Sequence, residues 1–109
     1  MKLRLEKGVI KCRLSADEID RLNTEKKLTE KIFLSDNNQF TYTVSVHGHE
    51  EKCTAQFEQY SLMIIIPSKK AEKWMNSRQV GIKETIVTDR NETYSLTLEE
   101  DLPPRKNKR

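Results

Sequence analysis

The chain has 109 residues, 35% of them hydrophobic and 34% charged, enough for one domain with a modest core and a heavily charged surface. The longest apolar run, Leu62-Met63-Ile64-Ile65-Ile66, is far short of the ~20 residues that span a bilayer as a helix. The net charge of +3 is concentrated in Arg105, Lys106, Lys108 and Arg109, leaving 16 of the 20 basic residues against 17 acids; a DNA-binding domain carries its excess on the fold itself.

Lys2-Leu3-Arg4-Leu5 alternates with apolar residues at odd positions, and Ile10-Lys11-Cys12-Arg13-Leu14 with apolar residues at even ones. A two-residue turn at Lys7 and Gly8 produces that change of phase, pairing Leu5 with Ile10 and Leu3 with Cys12 on one face. Ser15 then caps a first helix, with Glu18 completing a capping box, Ile19 and Leu22 as its apolar stripe, and an end near Lys26 or Lys27.

A second hairpin follows. Ile32 and Leu34 alternate, Ser35-Asp36-Asn37-Asn38-Gln39 has turn chemistry, and Phe40-Thr41-Tyr42-Thr43-Val44-Ser45-Val46 is a strand with one apolar face. Pairing Leu34 with Phe40 sets Ile32 opposite Tyr42. After a polar loop over 47–52, Cys53, Ala55 and Phe57 alternate, and a turn at Gln59 and Tyr60 leads into the central strand 62–66. A second helix begins near Lys69 with Ser68 as its cap, burying Ala71, Trp74 and Met75. Strands over 80–88 and 93–99 flank a three-residue loop, Asp89-Arg90-Asn91.

The expected fold is therefore α+β: about eight strands and two short helices in the order ββαββ-ββαββ, forming an antiparallel sheet or a partly closed barrel. The expected core is Leu3, Leu5, Ile10, Cys12, Ile19, Leu22, Ile32, Phe40, Tyr42, Val44, Phe57, Ile64, Trp74, Ile82, Ile86 and Leu96. Residues 1–102 form the domain. Residues 103–109, opened by two prolines and without an apolar side chain, are expected to be a disordered basic tail. Two cysteines set in apolar alternations read as core thiols, and charges interrupt the N-terminal stretch a signal peptide needs, so the expectation is a cytoplasmic protein.

With these segments in hand, the chain resembles an uncharacterised family of small bacterial proteins. The resemblance is carried by Lys2-Leu3-Arg4-Leu5, Ile10-Lys11-Cys12-Arg13-Leu14-Ser15 with Glu18-Ile19, and Leu28-Thr29-Glu30-Lys31. Further on it is carried by Thr54-Ala55-Gln56-Phe57-Glu58, Ile66-Pro67, the segment from Ala71 to Trp74, Val80-Gly81-Ile82 and Leu98-Glu99-Glu100-Asp101. Many relatives have Gly-Asn in the first turn and a cysteine after the acidic C-terminal motif; here stand Lys7-Gly8 and Leu102-Pro103. The resemblance implies a fold and no reaction.

Chemistry-bearing constellations are few. His47-Gly48-His49-Glu50-Glu51-Lys52-Cys53 holds both histidines but no recognised ligand spacing, so it reads as a polar loop and no metal site is expected. Glycines 8, 48 and 81 lie far apart and make no phosphate-cradling loop. No nucleophile has an evident base, no catalytic residue is assigned, and no cofactor is expected. The informative feature is the outer face of the first hairpin. Lys2 faces Arg13 and Arg4 faces Lys11, and like charges directly opposite on a sheet are destabilising. They call for neutralisation, internally by Glu6 or the acidic end of the last strand, or externally by an anionic partner. The expected function is a noncatalytic binding or interaction module acting through a sheet edge or this basic face, with a protein partner or a homo-oligomer. The alternative is an accessory nucleic-acid binder using Lys2, Arg4, Lys11, Arg13 and the tail.

Overall fold

A computed structural model describes residues 1–76 and 81–101. The expected strand start at Val80, the domain end at Leu102 and the basic tail lie outside the described residues. The elements are β1 (Lys2–Glu6), β2 (Val9–Leu14), α1 (Ala16–Glu25), β3 (Lys27–Ser35), β4 (Asn38–Val46), β5 (Thr54–Glu58), β6 (Ser61–Ile66), α2 (Ser68–Asn76), β7 (Gly81–Val87) and β8 (Thr93–Glu100). The α+β class, eight strands, two helices and the repeated ββαββ order are as expected.

The strands form two four-stranded sheets, β1-β2-β8-β7 and β3-β4-β6-β5, and neither closes into a barrel. All four hairpins are antiparallel, but the central pairs β2–β8 and β4–β6 are parallel, so each sheet is mixed. Each sheet joins the first hairpin of one half to the second hairpin of the other. The halves match register for register: Leu5↔Ile10 corresponds to Phe57↔Leu62, and Cys12↔Leu98 to Ile64↔Val44. Loop bonds repeat as well. Asp101 donates to the Leu14 carbonyl at 2.7 Å as His47 does to that of Ile66 at 3.1 Å. This is an internal structural repeat in which the two halves exchange hairpins.

Local chemistry sets the element ends. Ser15 Oγ accepts from the Glu18 amide (3.2 Å) while Glu18 Oε1 accepts from the Ser15 amide (2.8 Å), the expected capping box. Lys26, left-handed at φ 67°, ends α1 by donating to the Leu22 carbonyl. Gly8, at φ 81°, supplies the left-handed residue of the first turn. Helix α2 begins at Ser68, one residue before the expected start.

The sheets stack face to face over one core. Met1, ahead of β1, meets Glu30 on β3 and Tyr42 on β4; Cys53, ahead of β5, meets Glu84 on β7. Strands β2 and β6 run straight into the helices, so α1 and α2 close one end of the sandwich and the four hairpin turns lie at the other. Burial follows this axis. Leu14, Leu98, Ile64 and Ile66 are fully enclosed near the helices; Ile10, Phe40, Ile86 and Tyr94 are only half-buried nearer the turns.

Three expected core residues fail for this reason. Leu5 (55% exposed), Ile32 (41%) and Phe57 (64%) point to the inner face but lie beyond the covered depth of the sandwich. Leu14, Leu28, Val46, Leu62, Ile66 and Leu98 are core residues instead, in addition to the expected set. The register of β3–β4 also differs: Ile32 faces Phe40 and Glu30 faces Tyr42. A bulge at Leu34 absorbs one residue, and only Asp36 and Asn37 form the turn, so Asn38 and Gln39 join the strand.

Candidate functional site

The four cations singled out in the sequence do come together. The register Lys2↔Arg13 and Arg4↔Lys11 is as expected, with Leu3 and Cys12 on the opposite, core-facing side. Strand β8 extends the same face through Arg13↔Glu99 and Lys11↔Thr97, and β7 adds Lys83 opposite Thr97. Lys2, Leu3, Arg4, Lys11 and Arg13 line a shallow depression of about 180 Å³.

Each cation also meets an acid. Lys2 Nζ lies 2.9 Å from Asp101, and Arg4 Nε lies 2.7 Å from Glu6. Lys11 Nζ and Arg13 Nε share one oxygen, Glu99 Oε1, at 3.6 and 3.5 Å, beyond good hydrogen-bond length. The hydrogen bond from Lys2 holds the Asp101 carboxyl below its ordinary range. Five cations and three carboxylates thus share this face, counting Lys83 and Glu6. Solvent screens these pairs, so each contributes little to stability.

A second feature was not singled out in the sequence. Among the described residues, the exposed large apolar side chains are Leu5, Ile32, Phe33, Leu34, Phe57, Tyr60 and Val87. All seven lie in or beside the hairpin turns, at the end opposite the helices. Three of them are consecutive on β3, an edge strand of its sheet, where Phe33 is 74% and Leu34 71% exposed. Phe40 stacks on Tyr42 (ring centroids 6.2 Å apart) and lies tilted against Phe57 (6.3 Å), extending the apolar surface inward between the sheets. The signal was present as a break in alternation: Ile32-Phe33-Leu34 puts apolar groups on both faces of one strand. The turns around this surface hold Glu6, Asp36, Glu58, Asp89 and Glu92 against Lys7 and Arg90, an excess of acid.

His47 and His49 are exposed on the loop after β4, and Ser45 Oγ lies 3.1 Å from His47 Nδ1. Cys53 faces the core. The described residues hold no group of three or more histidine, cysteine, aspartate or glutamate side chains placed to bind a metal. Burial pushes the Cys12 and Cys53 thiols up to about 12, so neither is a thiolate nucleophile at neutral pH. No described helix is long and apolar enough to cross a membrane.

Comparison with protein families matches residues 1–107 to a family of unknown function, DUF7009. The chain belongs to this family. The match covers nearly the whole chain, including both halves of the repeat. No curated protein and no solved structure matches the chain.

Proposed function

We propose that this domain is a noncatalytic interaction module whose docking surface is the hairpin end of the sandwich, centred on the β3 edge. The observation that carries this is the exposure of Ile32, Phe33 and Leu34 in succession on an edge strand. An edge strand offers unpaired backbone donors and acceptors, and exposed apolar side chains beside it supply the burial that strand addition needs. Clustering sets these residues apart from the scattered apolar residues normal on any surface. The excess of acid around the turns disfavours an anionic lipid surface. It favours an extended protein segment with apolar residues flanked by basic ones.

The accessory nucleic-acid reading has weaker support, because Glu6, Glu99 and Asp101 lie among the cations it would use and repel an extended polyanion laid across that face. Affinity purification of the full chain, identifying protein and nucleic acid together, separates the two. Phe33→Glu with Leu34→Glu is expected to release the protein partner, and Arg4→Ala with Arg13→Ala to retain it. The opposite pattern, or nucleic acid recovered in place of a protein partner and lost with the arginines, overturns the reading.

A further inference from the structure

We infer that the outer face of the β1–β2 hairpin is a binding site for a compact, multiply charged oxyanion, a phosphate or diphosphate group, free or carried on a larger molecule. This site is separate from the hairpin-end surface and goes beyond the proposed docking function.

The structural repeat supplies an internal control. Lys2, Arg4, Lys11 and Arg13 correspond in register to Thr54, Gln56, Met63 and Ile65 on the other sheet. Glu99, which Lys11 and Arg13 share, corresponds to Ser45. The same fold is thus built once with four cations and once with none, and the depression on the other sheet, of about 260 Å³, lies nearer the turn and is lined by Gln56, Glu58, Gln59, Ser61 and Met63. The cations are not needed to form this hairpin. They place like charges directly opposite each other twice, an arrangement that disfavours the sheet.

The geometry suits a compact anion. Side chains two residues apart on a strand and paired across it stand roughly 5 to 7 Å apart at their bases. Four such cations ring one depression of about 180 Å³. Lys11 and Arg13 make only long contacts to the one oxygen of Glu99, which leaves them the readier donors, while Lys2 and Arg4 hold closer pairs, with Asp101 at 2.9 Å and Glu6 at 2.7 Å, that a multiply charged anion has to share or displace. Arginine and lysine together give both forked and point-charge recognition of phosphoryl oxygens. Glu99 is then a competitor that holds the cations in place until the ligand arrives.

The test is calorimetric titration of the full chain with inorganic pyrophosphate and orthophosphate at low ionic strength, and with a short oligothymidylate as the carried form. Pyrophosphate is expected to bind saturably at one site. Arg4→Ala with Arg13→Ala is expected to weaken it roughly tenfold or more. Glu99→Gln is expected to tighten it several-fold, a gain that mere damage to the fold does not produce. Replacing Arg105, Lys106, Lys108 and Arg109 with alanine in the full chain is expected to leave it unchanged. Pyrophosphate that does not bind, binding indifferent to the two arginines, no gain in Glu99→Gln, or loss with the four tail substitutions each overturns the proposal. Oligothymidylate binding together with pyrophosphate assigns the group to a larger carrier; oligothymidylate binding without it overturns the compact site.

Discussion

Replacing Glu84 tests how the two sheets are joined at the β5–β7 side. The Glu84 side chain is 8% exposed, and its Oε1 accepts from the Cys53 amide at 2.9 Å and from Lys70 Nζ at 2.5 Å. Cys53 is itself buried, so Glu84→Ala leaves its N–H without a partner at a site water does not reach freely. An orphaned buried donor costs about 1–3 kcal/mol, and a hydrogen bond to a charged group contributes about 1.5–3 kcal/mol. Lys70 is 36% exposed and regains water when its partner is removed, which discounts the ion pair to about 1 kcal/mol or less. The expected loss for Glu84→Ala is therefore about 2–4 kcal/mol, a large part of the roughly 5–15 kcal/mol that stabilises a domain. Glu84→Gln keeps an acceptor for Cys53 and is expected to cost only about 1 kcal/mol. Urea unfolding reads both as a fall in midpoint at unchanged slope. A Glu84→Ala protein within about 0.5 kcal/mol of wild type, or one no worse than Glu84→Gln, refutes the assignment.

Three further outcomes follow from the same structure. The Met1 ammonium is drawn to Glu18 and Glu30; burial lowers its pKa, but these two partners outweigh burial and hold it above its ordinary 8.0. For Glu18, burial raises the pKa, but the ammonium and the Ser15 amide outweigh it and hold the carboxyl below 4.5. The Glu18 contribution is complete above 4.5 and lost as pH falls through the folded value; the ammonium contribution is complete below 8.0 and lost as pH rises through its folded value. Glu18→Gln should thus be most destabilising between about pH 4.5 and 8, with the gap to wild type closing on both sides in melting curves. Cys12 and Cys53 should resist a thiol reagent in the native protein at neutral pH and both react on unfolding, a comparison made by labelling followed by mass measurement. A Cβ at Gly81 would stand 2.3 Å from the Leu98 carbonyl oxygen and 3.1 Å from Glu99 Cα, so Gly81→Ala should cost about 1–3 kcal/mol in thermal unfolding.

Hairpins were legible in the sequence where alternation and turn chemistry agreed. The phase change across Lys7 and Gly8 was sufficient for the whole β1–β2 register, and with it the grouping of the four cations. At β3–β4 five turn-forming residues stood in a row, and only the bulge at Leu34, a three-dimensional feature, decides which two make the turn. The parallel pairs were not legible, because alternation names a strand's inner face and says nothing of which hairpin lies beside it. Depth was hidden for the same reason: Leu3 and Leu5 share a face, yet only Leu3 lies far enough toward the helices to be partly covered. Glu30 and Glu84 were visible as acids in apolar alternations, Leu28 to Ile32 and Ile82 to Ile86, and that irregularity marks an inter-sheet polar contact at each. Glu6 and the acidic end of the last strand were legible as the acids to meet the cations, and both do; only the placement of β8 beside β2, a non-local fact, decides that Glu99 and Asp101 reach them.

The most direct test of the docking surface is site-specific photo-crosslinking in living cells. A photoreactive phenylalanine analogue replaces Phe33 at the hairpin end in one protein and Glu72 on α2 in another. Position 33 is expected to give a discrete adduct with a protein, identified by mass spectrometry, that disappears when Leu34→Glu is added, while position 72 gives none. No adduct at position 33, or the same adduct from position 72, contradicts the placement of the docking surface at the β3 edge.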